Sequence, residues 1–404
     1  GPGIIQGQVP GAGVPGAGVP GVGVRPPTPP AAPLLIDIVA GAGASDPSDF
    51  TNVNGIMFFV AFRSDVGREL FKSDGSIAGT SLVKDIRPGS QGSVPQFLTN
   101  VNGTLFFSAI DGTHGRELWK SDGTTAGTVL VQDTVVRPDR ANPQQLTNIN
   151  GILMYSAVTP AAGRELWRSN GTSAGTVLVK DINPGPASSN PLWLTNSKGI
   201  LLFSAFEPVA GRELWRSNGN SGGTILLKDI RPGVAGSYPS HLTNVKGIVF
   251  FSATDGTIGA ELWKSTGTMA NTVLVKDIRS GAGASSPAHM TNIKGNVFFA
   301  ADNGVLGIEL WRSNGAAAGT TLVKDIRSGS ESSDLANLTN LSGMLMFTAD
   351  DGLSGNELWR SNGRDVGTVR VRDIRVGPLG AHPMYLVNHQ GMLFFSADNG
   401  PAGR

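Results

Sequence analysis

The chain contains no cysteine in 404 residues, which excludes disulfides, thiolate metal sites and a cysteine nucleophile. It has no excess of either charge: 32 Lys and Arg oppose 31 Asp and Glu, a formal net charge of +1. No global field therefore draws it to nucleic acid or to an anionic membrane. No apolar run approaches the ~18 residues of a membrane span. Charged residues make up only 16% of the chain, and helical periodicity is missing throughout. Glycine is plentiful instead, at 56 residues, about twice the usual share.

The chain divides in two. Residues 1–33 hold nine Gly and nine Pro. Val9 to Val24 reads VPGAG VPGAG VPGVG V, which resembles the pentapeptides of elastin. Pro-Gly at each centre favours a type II turn, since Pro fixes one φ and Gly supplies the positive one. The stretch buries too little to fold alone and is expected to be extensible. Arg25 to Pro33 is Pro-dense and predicts a stiffer polyproline II spacer.

The remainder is an internal repeat. Glu-Leu-Trp, once Glu-Leu-Phe, begins at Glu69, Glu117, Glu165, Glu213, Glu261, Glu309 and Glu357, a constant step of 48. The Asp of the Lys-Asp-Ile segment keeps the same step from Asp37 to Asp373. Each unit reads as four short strands, A to D. In the second unit they are expected at 96–101, 104–109, 116–121 and 128–134. Asn102-Gly103 is a two-residue hairpin signal between A and B. Asp122-Gly123 begins the C–D turn. Leu118 and Trp119 are adjacent, as are Phe106 and Phe107, so strands B and C are apolar on both faces. A sheet packed between two others needs this. The prediction is an all-β protein: an eight-bladed β-propeller over residues 34–404, with blades of 48 residues and four strands.

The charged residues of the repeat have a structural reading. A constant index sum across the C–D hairpin sets Glu69 opposite Lys84 and Arg68 opposite Asp85. The same pairs recur as Glu117 with Gln132 and Arg116 with Asp133. Cross-strand ion pairing is therefore expected rather than catalysis. An active site needs one constellation, and these acids recur in every unit.

The run ELWKSDGTTAGTVLV, Glu117–Val131, resembles the ELWxxDGT repeat of bacterial secreted and surface proteins. The resemblance covers residues 37–404. It implies an extracellular or cell-surface propeller and attaches no chemistry to the motif. Phe71 in place of Trp, and Asn218, Thr266, Asn314 and Asn362 in place of the turn Asp, are departures from the pattern.

The strand count carries the functional expectation. Strands A, B and D occur eight times within the sequence, and strand C seven times. The last blade takes A and B from Met384–Ala397 and D from Leu34–Ile38, which leaves its C position open. Unpaired edges are costly and adhesive. The candidate to fill the gap is the segment 1–9, with Ile4, Ile5, Gln6, Gln8 and Val9. Ile4-Ile5 presents apolar residues to both faces, as Leu118-Trp119 does, and Gln6 then stands where Lys120 stands. The acceptor would be Leu34, Leu35, Ile36 and Ile38 with Met392, Leu393, Phe394 and Phe395. Residues 10–33 form the linker; as a coil it spans ~27 Å and as polyproline II up to ~74 Å. Insertion into its own blade needs none of that length, whereas insertion into a neighbour uses it. Strand addition of this kind is head-to-tail and need not close. The expectation is a homopolymeric extracellular filament, non-enzymatic and without cofactor. The alternatives are self-insertion, or a strand C supplied by residues following Arg404.

A binding module is the second functional expectation. One position in strand A varies from blade to blade: Asp49, Phe97, Gln145, Trp193, His241, His289, Asn337, Tyr385. If it rings one mouth of the channel, Phe97, Trp193, His241, His289 and Tyr385 can stack on a glycan or small ligand. Three convergent metal ligands are not visible, because His114, His382 and His389 lie elsewhere in the unit. Aspartates such as Asp111 and Asp255 in the B–C loops read as turn caps rather than calcium ligands.

Overall fold

A computed structural model describes residues 38, 45–135, 141–389, 391–398 and 400. The fold is all-β, a β-propeller of eight blades. Seven blades are four-stranded antiparallel sheets with the strands in chain order, and the eighth has two described strands. Blade 1 is Ser48–Val53, Ile56–Arg63, Gly67–Ser73 and Ser81–Lys84. Blade 2 is Gln96–Val101, Thr104–Ile110, Arg116–Ser121 and Val129–Gln132. Blade 8 is Met384–His389 and Met392–Ser396. The only helical turns among the described residues are two short 3-10 segments, Ser221–Gly223 and Asp365–Gly367. No described helix is long and apolar enough to cross a membrane.

The A–B hairpins turn on left-handed residue pairs. Asn102 and Gly103 have φ of 50° and 85°, the type I′ geometry whose twist matches the strands. The doubly apolar strands bury both faces as predicted. Trp119 packs with Phe58, Leu70 and Ile86 of blade 1, while Leu118 packs with Leu153, Tyr155 and Trp167 of blade 3. Each interface is thus filled by Leu from one blade and Trp from the next, which explains why the two residues travel together.

Strand A is innermost, and consecutive A strands lie side by side from blade 1 to blade 8. Side chains tie them together. Thr99 donates to the Leu146 carbonyl of the next blade at 3.2 Å, and Asn100 donates to the Asn52 carbonyl of the preceding blade at 3.0 Å. The Asn100 oxygen also caps the Gly103 N–H at 2.9 Å. This pattern recurs around the axis, for example at Thr195 and Asn196.

The charged residues do not pair as the constant index sum expects. Phe71 lies opposite Leu82 and Lys72 opposite Ser81, in the anticipated register, but a bulge sets Lys84 opposite Leu70. Glu69 is thereby released from the hairpin and is fully buried. It accepts from the Ser93 N–H at 2.7 Å and from the Arg87 N–H at 3.2 Å. Lys84 reaches the Thr128 carbonyl of the next blade at 2.8 Å. Arg116 donates to the carbonyls of Val94 and Ser108 instead of to Asp133. The glutamate of each Glu-Leu-Trp therefore holds the loop that runs from strand D to the next blade. A buried carboxylate without such donors would carry a large desolvation penalty.

Candidate functional site

Two features stand out against the repetition: the seam between blades 8 and 1, and the varied ring inside the channel.

At the seam, the A strands of blades 8 and 1 lack the side-by-side packing found at the other seven steps, among the described residues. Met384 pairs with Ser396 and Val387 with Phe394, and no described strand pairs with the other edge of Met392–Ser396. Among the described residues the facing core is small. Phe59, Ala61 and Phe71 form it, with Ile38, Phe50 and Leu82 packed against them, all from blade 1 and its lead-in. The equivalent interface between blades 1 and 2 joins both blades: Val53, Phe58, Leu70, Val83 and Ile86 meet Leu105, Phe107, Ala109 and Trp119.

The seam face of blade 1 is also aromatic. Phe50 stacks on Phe59 at 5.5 Å, and Phe59 on Phe71 at 5.9 Å. Phe50 stands where later blades carry Leu98 or Leu146, and Phe71 where they carry Trp. The expected acceptor residues divide accordingly. Ile38 lies on this core, while Leu393, Met392 and Phe395 belong to the second strand of blade 8. Leu393 is buried against Met346 and Leu358 of blade 7, with Phe395 packed beside it. Phe394 is placed by its backbone pairing alone. Leu34, Leu35 and Ile36 lie outside the described residues, as do Ile4, Ile5, Gln6, Gln8 and Val9.

The varied position lies in strand A at a bulge, which the sequence did not announce. Gln96 pairs with Ser108 and Thr99 with Phe106, so Phe97 and Leu98 together oppose a single residue. Every residue at this position has positive φ, from 53° at His289 to 59° at Trp193. That conformation normally belongs to Gly in such bulges, and bulky side chains adopt it at a cost. The bulge turns the side chains toward the channel. Trp193 receives support from both neighbours: its N–H donates to Gln145 Oε1 at 3.0 Å, and its ring lies 4.5 Å from His241. His241 in turn lies 6.3 Å from His289. Burial, and then the adjacent His289, lower the pKa of His241. The structure thus brings Trp193, His241 and His289 into one arc over blades 4–6. Among the described residues no ring contact joins Phe97 or Tyr385 to it.

No described group of three or more His, Asp or Glu is arranged to hold a metal ion. The B–C loop acids cap turns: Asp111 accepts from Thr113 and His114 N–H, and Asp255 from Thr257 and Ile258 N–H.

No protein-family model and no curated protein matches the chain. Solved structures do match its fold. One belongs to a study of two prolyl endopeptidases, at 10% identity and a TM-score of 0.52, covering 87% of this chain and 54% of that one. Another is prolyl oligopeptidase B from Galerina marginata, at 12% identity and a TM-score of 0.50, covering 81% and 51%. A puromycin hydrolase matches at 12% identity and a TM-score of 0.48, covering 90% and 57%. The chain thus spans little more than half the length of these structures. At such identities the likeness is one of fold, and a propeller by itself licenses no activity.

Proposed function

We propose that this chain is a non-enzymatic structural subunit of an extracellular homopolymer. Its segment 1–9 would complete blade 8 of a neighbouring copy. One observation carries the reading: the second strand of blade 8 has an unpaired edge among the described residues, beside the blade 1 face of stacked Phe50, Phe59 and Phe71. Open edges of this kind recruit strands. The peptidase chemistry of the structures above does not transfer, because the repeat offers no single nucleophile-base constellation and its recurrent Glu serves the loops.

The absence of native cysteine makes a crosslinking test direct. In blade 2 Ala109 pairs with Glu117, and Ser108 with Leu118. With Ile4-Ile5 aligned on Leu118-Trp119, Gly3 would lie opposite Ala397 of the acceptor. Oxidation of a G3C/A397C variant is expected to yield a ladder of multimers under denaturing electrophoresis. A disulfide formed only within monomers would establish self-insertion and overturn the polymer reading.

The arc of Trp193, His241 and His289 favours a second, compatible reading, a stacking site for a glycan or other small ligand at the channel mouth.

A further inference from the structure

The A–B turns carry a second asymmetry. In blades 1–3 the first turn residue is Asn54, Asn102 or Asn150, a type that tolerates positive φ. In blades 4–6 it is Lys198, Lys246 and Lys294, held at φ of 52°, 54° and 51°. Lysine gains nothing from that conformation, so three consecutive occurrences point away from turn formation as their purpose.

All three side chains are exposed, and none forms an ion pair among the described residues. Their stems are laid along the ring. A Cβ on Gly247 would fall 2.0 Å from Lys198 Cε, one on Gly295 2.6 Å from Lys246 Nζ, and one on Gly343 2.3 Å from Lys294 Cε. Each ammonium group is thus carried over the next blade's turn, giving a row of single charges around one channel mouth.

The surrounding face reinforces the row. The C–D turns lie at the same end of the sheets, each just after a cation near the end of strand C that recurs from Lys72 to Arg360, in blades 4–6 Arg216, Lys264 and Arg312. Residues 196–200, 216–224, 244–248, 264–272, 292–296 and 312–320 contain no Asp or Glu. Blades 1 and 2 carry Asp74 and Asp122 in the corresponding turns, and blade 7 carries Asp365. The three lysines thus add positive charge to a sector of this face whose turns carry no acid.

We propose that this sector binds an acidic polysaccharide, whose successive carboxylate or sulfate groups would lie along the Lys198–Lys246–Lys294 row. Two features favour this over a nucleic acid. The central cations are lysines, point charges, and not the forked arginines that suit phosphate. Among the described residues, this face of blades 4–6 also exposes no aromatic ring on which bases could stack; its exposed large apolar side chains are Ile225 and Met269. The proposal is independent of polymerisation, since the lysines lie on blades 4–6, away from the seam.

The test is titration of the whole chain with polygalacturonate, with neutral dextran and a single-stranded oligonucleotide alongside. The comparison variant is K198N/K246N/K294N. Asparagine already occupies this turn position in three blades, so the fold is expected to survive, as an unchanged or raised melting temperature would show. Polygalacturonate is expected to bind the natural chain in a salt-dependent way. The variant is expected to lose at least about tenfold in affinity, with the slope of log K against log salt reduced by about three. No binding of polygalacturonate at low salt, or equal binding by the variant, would overturn the site. Oligonucleotide binding of equal or greater strength would overturn the ligand class.

Discussion

The carboxylate of Glu213 accepts from the backbone N–H of Ser237 at 2.7 Å and from its hydroxyl at 2.6 Å. The two residues are 24 positions apart, one at the start of strand C and the other in the loop leading to the next blade. Both are fully buried, so the pair fixes the path of the chain between blades. Glu213→Ala strands the N–H groups of Ile230 and Ser237 without an acceptor. The expected cost is about 3 kcal/mol in urea unfolding. Ser237→Ala is expected to cost only about 1 kcal/mol, since the N–H bond remains. Blades 2 and 7 already carry that change naturally, at Ala141 and Ala381.

The same buried acids make stability depend on pH. Burial pushes Glu117 and Glu309 up to about 7. In the unfolded chain a glutamate titrates near its ordinary value of about 4.3. Between those values the folded state binds more protons, so stability falls as pH rises. The melting temperature is expected to be higher at pH 5 than at pH 8. Glu117→Gln is expected to shallow this slope, whatever it does to the absolute value. A melting temperature that rises from pH 5 to pH 8 would contradict the burial account.

Close backbone approach predicts a contrast between two glycines of one loop. Gly236 has φ of 66°, and a Cβ there would fall 2.4 Å from the Arg212 nitrogen. Gly233 has φ of 96° with open space around it. Gly236→Ala is expected to cost about 2 kcal/mol or more, and Gly233→Ala about 1 kcal/mol. Equal costs in chemical denaturation would show that the loop relaxes freely.

The channel arc has its own reporter. Trp193 is 38% exposed, whereas the other six tryptophans are 6–8% exposed. Iodide quenching of native fluorescence is expected to act on this one indole and to vanish in Trp193→Phe. If the arc stacks on sugars, a glycan panel will shift the quenchable fraction; an unchanged signal across the panel would make the ring a filler of the mouth.

Much of this fold was legible beforehand, because the 48-residue step repeats one physical solution without interruption. Strands A and C of blade 2 were placed to the residue, and Asn102-Gly103 announced its turn through the one conformation both residues accept. The bulge between Leu70 and Phe71 was not legible, since nothing in Glu-Leu-Phe marks a one-residue slip. That slip turned expected ion pairs into loop anchors. The strand A bulge was hidden for the opposite reason: its position varies, so Phe97 and Trp193 carry no common residue type to mark a left-handed strand position. The Thr99-Asn100 pair was in plain view as a recurrent Leu-Thr-Asn, but its bonds run between blades and have no signature within one. The lysines at 198, 246 and 294 could have been found by asking which residue occupies the left-handed turn position.

Electron microscopy of the intact chain beside a version lacking residues 1–9 tests the central claim most directly. The account predicts filaments of linked propellers from the first and separate propellers from the second. Separate propellers from both, or filaments from both, would contradict it.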